Sequence, residues 1–161
     1  MKKLLIYTYI IWGVTIMSSC SATKNPGLSN MVAIMQVDEP IPGVCNNSRV
    51  IAILPFSGNG QVEAQGPMTD EEIEEQLNAS VNFLQNKPDY NDKGMVNLII
   101  NCEGEMVRCQ IDNKTKSPEL DEQIVSVFAK LKKWKAGTVN GEPVDTSVLY
   151  SFKIENGKIV L

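Results

Sequence analysis

Two extended runs joined by a short turn place the strongest constraint on the fold of this chain. Residues 94–100 and 105–111 flank the glycine-containing turn Asn101-Cys102-Glu103-Gly104, a pattern that predicts a β-hairpin. Because side chains alternate along a strand, the second run is expected to turn one apolar face toward the core. The members of that face are Val107, Cys109 and Ile111.

Two helices are predicted, one on each side of this hairpin. Thr69-Asp70-Glu71-Glu72 has the form of a capping box, and apolar residues recur at helical spacing up to Lys87-Pro88, where the helix is expected to stop. Carboxylates in its first turn suit either a metal site or the positive end of the helix dipole, and we interpret them as the latter. Ser117-Pro118 begins the second helix. Its apolar stripe consists of Leu120, Ile124, Val127, Phe128, Leu131 and Trp134.

The remaining extended runs complete an α+β fold. Residues 145–154 predict a long strand between turns at 140–143 and 156–157, and residues 158–161 are expected to add a short strand. One face of the long strand carries Val148, Tyr150, Phe152 and Ile154. Residues 31–37 and 49–56 are strand candidates nearer the N-terminus. We therefore expect two helices packed on a small antiparallel sheet, with a strand-containing N-terminal extension.

The N-terminus has the order of a secretion signal. Lys2 and Lys3 precede the largely apolar residues 4–17, and Ser18-Ser19 supply the small residues that a signal peptidase requires. As a helix, residues 4–17 would span only about 21 Å, short of the roughly 30 Å hydrocarbon core, so a permanent membrane helix is the weaker interpretation. Residues 1–19 are predicted to be a signal peptide.

The stretch Met17-Ser18-Ser19-Cys20 resembles the bacterial lipobox, in which the cysteine becomes the new N-terminus and carries acyl chains. The resemblance implies that Cys20 is lipidated; an ordinary signal peptide with a chance cysteine is the alternative. Acyl chains contribute on the order of 0.8 kcal/mol per buried methylene, so several of them would hold the protein on a membrane. Residues 20–30 would form the lipidated cysteine and its tether, 31–68 an N-terminal extension and 69–161 the main domain.

The other cysteines fit an oxidising compartment, where disulfides persist. With Cys20 lipidated, three cysteines remain, which permits one disulfide and one free thiol. Cys109 lies roughly 13 Å along the strand from the turn that holds Cys102, so a bond between these two is implausible. We expect Cys45 to pair with Cys102 or Cys109, and the sequence leaves that choice open.

The order of motifs over about residues 70–161 resembles the TonB C-terminal domain family. The motifs are Gly94-Met95-Val96, Glu103-Gly104-Glu105, Leu120-Asp121, Leu131-Lys132-Lys133-Trp134, Gly141-Glu142-Pro143-Val144 and Ser151-Phe152-Lys153-Ile154. In that family, two helices pack on a three-stranded antiparallel sheet in the periplasm, and the last strand pairs with an extended peptide by β-augmentation. The resemblance implies a partner-binding edge made of Ser147, Val148, Leu149, Tyr150, Ser151, Phe152, Lys153 and Ile154. The alternative is that residues 158–161 or one of the early strands cover this edge.

Three hypotheses for function follow. The first is a lipid-anchored module on the periplasmic side of the outer membrane, with surface exposure as an alternative, that docks an envelope or outer-membrane protein or peptide. The second is a TonB-type energy transducer that keeps residues 1–19 as a membrane helix, although the long Pro-rich segment typical of that family is lacking. The third is a structural or cell-wall-associated lipoprotein.

Composition narrows the chemistry. The chain has no histidine, which excludes a histidine base, a Ser-His-Asp triad and a Cys-His pair, and we expect no enzymatic activity. Without histidine or a Cys-x-x-Cys pair, no metal site is predicted, and no cofactor motif is present. The formal net charge of −4 becomes more negative once Lys2 and Lys3 are removed, which argues against a nucleic-acid partner.

The intact mass of the mature protein tests the N-terminal assignment. We expect Cys20 as the first residue with a diacylglycerol-derived mass attached, and we expect Cys20→Ala to abolish that mass and membrane association. A mature chain that retains residues 1–19 would contradict the lipoprotein hypothesis and favour the transducer.

Overall fold

The structure is a computed structural model that describes residues 33–35, 39–53 and 60–161; Cys20, the signal peptide and the tether lie outside these ranges. The described residues form an α+β fold with two helices, α1 (Asp70–Ser80) and α2 (Pro118–Phe128). The strands of the same ranges are β1 (Ala33–Met35), β2 (Val50–Ala52), β3 (Gln61–Val62), β4 (Asp92–Ile100), β5 (Met106–Asn113), β6 (Gly137–Val139), β7 (Glu142–Val144), β8 (Thr146–Glu155) and β9 (Lys158–Val160).

The main sheet has the strand order β1-β2-β8-β4-β5, with β9 folded back on β8. Strand β8 lies at its centre and pairs with β4 without a register shift, from Ile154 opposite Asp92 to Thr146 opposite Ile100. The hairpin of β4 and β5 and the long strand β8 agree with the sequence prediction. The expectation of a purely antiparallel sheet is wrong at one pair, because β2 enters from the N-terminal extension and runs parallel to β8.

Helix α1 begins at the predicted capping box but ends earlier than predicted. Thr69 Oγ1 accepts a hydrogen bond from the Glu72 N–H at 3.3 Å, and Glu72 Oε2 accepts one from the Thr69 N–H at 2.8 Å. The helix ends at Ser80, and a 3₁₀ turn follows at Asn82–Leu84 instead of further α-helix. A tertiary bond explains the change: the Phe83 N–H donates to Gln123 Oε1 at 2.9 Å rather than to a helical carbonyl.

Helix α2 likewise ends before its apolar stripe does. Ser117 Oγ accepts a hydrogen bond from the Leu120 N–H at 3.4 Å, and Pro118 occupies the first helical position as predicted. The helix stops at Phe128, and Leu131 and Trp134 are buried from the loop that follows. The Trp134 indole N–H donates to the Leu131 carbonyl at 3.2 Å, which satisfies the ring in its buried position.

Both helices cover one face of the main sheet, which we call the front face. The buried residues of this core are Ala64, Ile73, Leu77, Val81, Leu84, Val96, Leu98, Ile100, Leu120, Ile124, Val127, Phe128, Leu131, Trp134, Val148, Phe152, Ile154 and Ile159. The predicted alternation of β8 is confirmed, because Val148, Phe152 and Ile154 are buried on the front face and Tyr150 packs against them. In the described ranges, no helix is long and apolar enough for a membrane crossing.

A second, smaller cluster lies on the opposite, back face. Ile41, Val50 and Ile99 form it, with Met35, Val44 and Val107 packed against them. The prediction that Val107 shares a face with Cys109 and Ile111 is therefore wrong. Ile99 pairs with Arg108 whereas Ile100 pairs with Met106, so Val107 is the extra residue of a β-bulge. A bulge shifts the alternation by one residue, and Met106 takes the core position instead.

A three-stranded second sheet, β3-β6-β7, was not foreseen from the sequence. Asn140 and Gly141 have φ of 53° and 83°, the conformation of a two-residue hairpin turn. The predicted turn at 140–143 is thus shorter than expected, because Glu142 and Pro143 already belong to β7. Pro143 is tolerated there because β7 is an edge strand of this sheet.

Replacing Thr69 by alanine tests the cap of α1. We expect Thr69→Ala to lower the free energy of unfolding by about 1 kcal/mol, because the Glu72 N–H loses its acceptor. Urea denaturation measures the change, and Ser126→Ala on the exposed face of α2 is the matched control with an expected change near zero. Equal changes in the two variants would contradict a role for the cap.

Candidate functional site

One side of strand β8 is paired at both ends but not in between. On that side, β2 pairs with Thr146 and Ser147, and β9 pairs with Lys153, Ile154 and Glu155. Between them, no strand of the described ranges pairs with residues 148–152 on that side, although β4 pairs with them on the other. We call these five residues the β8 opening.

Backbone directions show which groups face the opening. The Ile51 N–H donates to the Asp145 carbonyl at 2.9 Å, so the main-chain groups of Asp145 point toward β2. Main-chain groups alternate along a strand, and the β4–β8 register has no shift, so those of Leu149 and Ser151 point to the same side. Each of these two residues therefore presents one N–H and one carbonyl to the opening.

The neighbouring edge of β9 is closed in a different way. The side chain of Asn78 on α1 contacts Ile159 twice: its Nδ2 donates to the Ile159 carbonyl at 2.8 Å, and its Oδ1 accepts from the Ile159 N–H at 2.9 Å. Glu74 Oε2 accepts a third bond from the Leu161 N–H at 3.1 Å. Side chains thus take the place of a neighbouring strand along β9, and in the described residues nothing equivalent does so for Leu149 and Ser151.

The structure narrows the edge that the sequence predicts. Of the predicted residues Ser147 to Ile154, Ser147 is covered by β2, and Lys153 and Ile154 are covered by β9. The middle five remain, and the main-chain groups of Val148, Tyr150 and Phe152 are directed to β4. Leu149 and Ser151 are therefore the two residues of the predicted edge whose main-chain groups can pair with an added strand.

A groove of about 600 Å³ runs beside the opening on the front face. One wall is the chain from Glu63 to Asp70, together with Glu72, and the other is the stretch 148–151 of β8, with Leu161 also lining the groove. The charged side chains among these are Glu63, Asp70 and Glu72, and no lysine or arginine of the described residues lines the groove. The groove is accordingly negative.

The carboxylates act on each other and on Tyr150. Partial burial, reinforced by the charge of Asp70, raises the pKa of Glu63 above its ordinary value. Burial raises the pKa of Tyr150 to about 12, and the charges of Asp70 and Glu63 add to this effect. Tyr150 lines the groove together with these carboxylates, so the front side of the β8 opening faces negative charge.

The back side of the opening is apolar. Leu149 is 49 % exposed and lies opposite Asn97, and Val160 is 39 % exposed and lies opposite Lys153. Large apolar side chains with this much exposure are few in the described residues; the others are Ile34 and Val62. An added strand would therefore meet carboxylates on one face and an aliphatic side chain on the other.

A disulfide joins Cys45 to Cys102 at the start of β8, which decides the pairing that the sequence left open. The buried carboxylate of Asp145 lies beside it and accepts three main-chain hydrogen bonds. Its Oδ1 accepts from the Cys45 and Cys102 N–H groups, each at 3.0 Å, and its Oδ2 accepts from the Asn46 N–H at 2.7 Å. Sequence reasoning missed Asp145, because its partners lie 43, 99 and 100 residues away.

The ligand-type atoms of Cys45, Cys102 and Asp145 lie within 4.8 Å of one another. Both sulfur atoms belong to the disulfide, however, and both carboxylate oxygens already accept hydrogen bonds. In the oxidised protein these three residues therefore form a structural clamp rather than a set of ligands.

Cys109 is the free thiol of the described residues. It packs against the front core, and its Sγ contacts the Val125 carbonyl at 3.8 Å. Burial raises the pKa of this thiol to about 11, an effect that the charge of Lys132 only partly offsets. The thiol is therefore protonated at neutral pH, a state that suits packing and not nucleophilic attack.

Comparisons with protein-family models, with curated proteins and with solved structures find no match to this chain.

Loss of the disulfide should destabilise the protein strongly. Cys45 and Cys102 are 57 residues apart, and closing a loop of that length corresponds to about 4 kcal/mol of free energy of unfolding. We expect the Cys45→Ser/Cys102→Ser protein to lose this amount in urea denaturation, and we expect a reducing agent to have little further effect on it. Cys109→Ser should stay sensitive to reduction; a wild type insensitive to reductant would contradict the prediction.

Proposed function

We propose that this chain is a lipid-anchored module of the bacterial cell envelope that docks an extended peptide of an envelope or outer-membrane protein on the β8 opening. The observation that carries the proposal is the pair of outward-facing residues Leu149 and Ser151, between edges that strands and side chains close. The lipobox-like Cys20 supports the anchor, and the TonB-like order of motifs supports β-augmentation as the binding mode.

Main-chain hydrogen bonds are the natural source of affinity at this site. Water satisfies unpaired strand groups in the free protein, and a peptide strand would replace that water with hydrogen bonds worth roughly 0.5–1.5 kcal/mol each. Leu149 and Ser151 together offer two donors and two acceptors. Proteins ordinarily protect such edges from pairing, as Asn78 does here for β9. A segment that no strand or side chain of the described residues protects is therefore better suited to a partner than to isolation.

The neighbouring strands limit the length of the docked segment. From Ser147, the last residue paired with β2, to Lys153, the first paired with β9, β8 extends about 20 Å at roughly 3.3 Å per residue. A peptide of about six residues fills this length. The site therefore suits a short linear segment of a partner and not the edge of a large sheet.

A proline at position 151 tests strand pairing directly. The Ser151 N–H faces the opening and not β4, so Ser151→Pro removes a donor to the partner without removing a β4–β8 hydrogen bond. We expect a photocrosslinker at Leu149 of the lipidated chain in intact cells to capture a defined envelope protein, and we expect Ser151→Pro to reduce that product at least about tenfold.

Ser151→Ala is the matched control, since it removes the hydroxyl but keeps the N–H, and it should crosslink like the wild type. Circular dichroism and thermal unfolding establish that both variants are folded. Undiminished crosslinking by folded Ser151→Pro protein, or equal loss in both variants, would refute pairing at this edge.

A further inference from the structure

The two sides of the β8 opening differ in chemistry, and this difference specifies the kind of peptide that fits. Resting on the proposed docking at this edge, we infer that the docked segment carries basic side chains in alternation with apolar ones. The front of an added strand faces the acidic groove, and its back faces Leu149.

Geometry assigns each side chain of the added strand to a face. Residues directly opposite each other on paired strands project to the same side of a sheet. Peptide residues opposite Val148 and Tyr150 therefore project into the front groove, and a residue opposite Leu149 projects to the back. Successive residues alternate between the two environments, so one short segment experiences both.

The front positions favour cations. Glu63, Asp70 and Glu72 line the groove, and none of its lining residues in the described ranges is a lysine or arginine. Glu72 already accepts the Thr69 N–H of the capping box, which leaves Glu63 and Asp70 as the carboxylates best placed to pair with a ligand. A lysine or arginine side chain has the length to lay its methylene stem along Tyr150 or Met68 and to bring its charge to the acidic wall. An acidic peptide would meet like charge there.

The back position favours an aliphatic side chain. Leu149 is about half exposed in the described protein, and a neighbouring strand would place a side chain directly beside it. Burying that apolar surface removes it from water, which favours binding. A polar residue at this position would desolvate without gaining a hydrogen-bond partner from the leucine.

Synthetic peptides test the charge preference on the full mature chain in a neutral detergent. The probes are short acetylated and amidated peptides in which valine alternates with lysine, glutamine or glutamate. Fluorescence anisotropy of labelled peptides gives the Kd. We expect the lysine peptide to bind at least about tenfold more tightly than the glutamate peptide, with the glutamine peptide between them.

Variants then locate the preference in the groove. Glu63→Gln should weaken the lysine peptide about threefold, and Glu63→Gln/Asp70→Asn should weaken it about tenfold, without weakening the glutamate peptide. Glu122→Gln on α2, which makes the same change outside the groove, is the control and should bind as the wild type does. Ser151→Pro should abolish binding of all three peptides.

The pH dependence gives a separate readout. The pKa of Glu63 is raised by burial and by Asp70, with Glu72 and Tyr150 lining the same groove. As the pH falls from neutral, Glu63 gains a proton before an ordinary glutamate does, so lysine-peptide affinity should fall first in wild type. The Glu63→Gln protein should lack this early loss.

Failure of the inference is distinguishable from failure of the docking site. Equal affinities for the three peptides, all lost in Ser151→Pro, would overturn the charge preference and leave strand docking intact. Binding that is unaffected by Ser151→Pro, or no binding of any peptide, would overturn both. Tighter binding of the glutamate peptide would show a preference for an acidic segment and would overturn the inference of basic side chains.

Discussion

The carboxylate of Asp145 is the interaction on which the arrangement of the sheet depends. It is 2 % exposed, and a buried carboxylate is unfavourable unless hydrogen bonds replace its water. Here the N–H groups of Cys45, Asn46 and Cys102 supply that replacement, while the Asp145 carbonyl accepts from Ile51. One residue therefore fixes the N-terminal extension, the turn of the hairpin and the start of β8 relative to one another, and thereby places β2 at one end of the β8 opening.

The other end of the opening depends on a different device. Asn156 and Gly157, with φ of 53° and 74°, reverse the chain so that β9 returns along β8. Helix α1 then holds β9 through Asn78 and Glu74. The same helix contributes Asp70 and Glu72 to the acidic wall. Helix α1 therefore closes the edge of β9 and also places negative charge beside the β8 opening. Within the described residues, the opening is thus the interval between β2 and β9, and the positions of these two strands set its length.

Local signals in the sequence were sufficient for the starts of elements but not for their ends. The capping residues Thr69 and Ser117 lie within three residues of the groups they bind, so the helix starts could be predicted. Helix α1 ends where Gln123, forty residues away, binds the Phe83 N–H, and the bulge at Val107 reflects packing against the N-terminal extension. At one end the predicted edge was narrowed for the same reason, since β2 comes from a distant segment; at the other end it is covered by β9, a short strand that the sequence predicts. Glu63 and Asp70, on the two sides of Gly66-Pro67, are evident in the sequence, but only the fold shows that they line one groove with β8.

The position of the disulfide determines how tension would pass through this protein. Any pull from the N-terminal side reaches Cys45 before β2, and the covalent bond transfers it to Cys102, at the end of β4. Strand β1 precedes the bond and would separate first, whereas β2 lies inside the loop that the disulfide closes and would be shielded from the load. Strands β4 and β8 pair from Asp92 to Ile100 without a register shift, so load that reaches Cys102 arrives beside an extensively paired part of the sheet. The disulfide therefore carries the load past β2, the strand that borders the ligand.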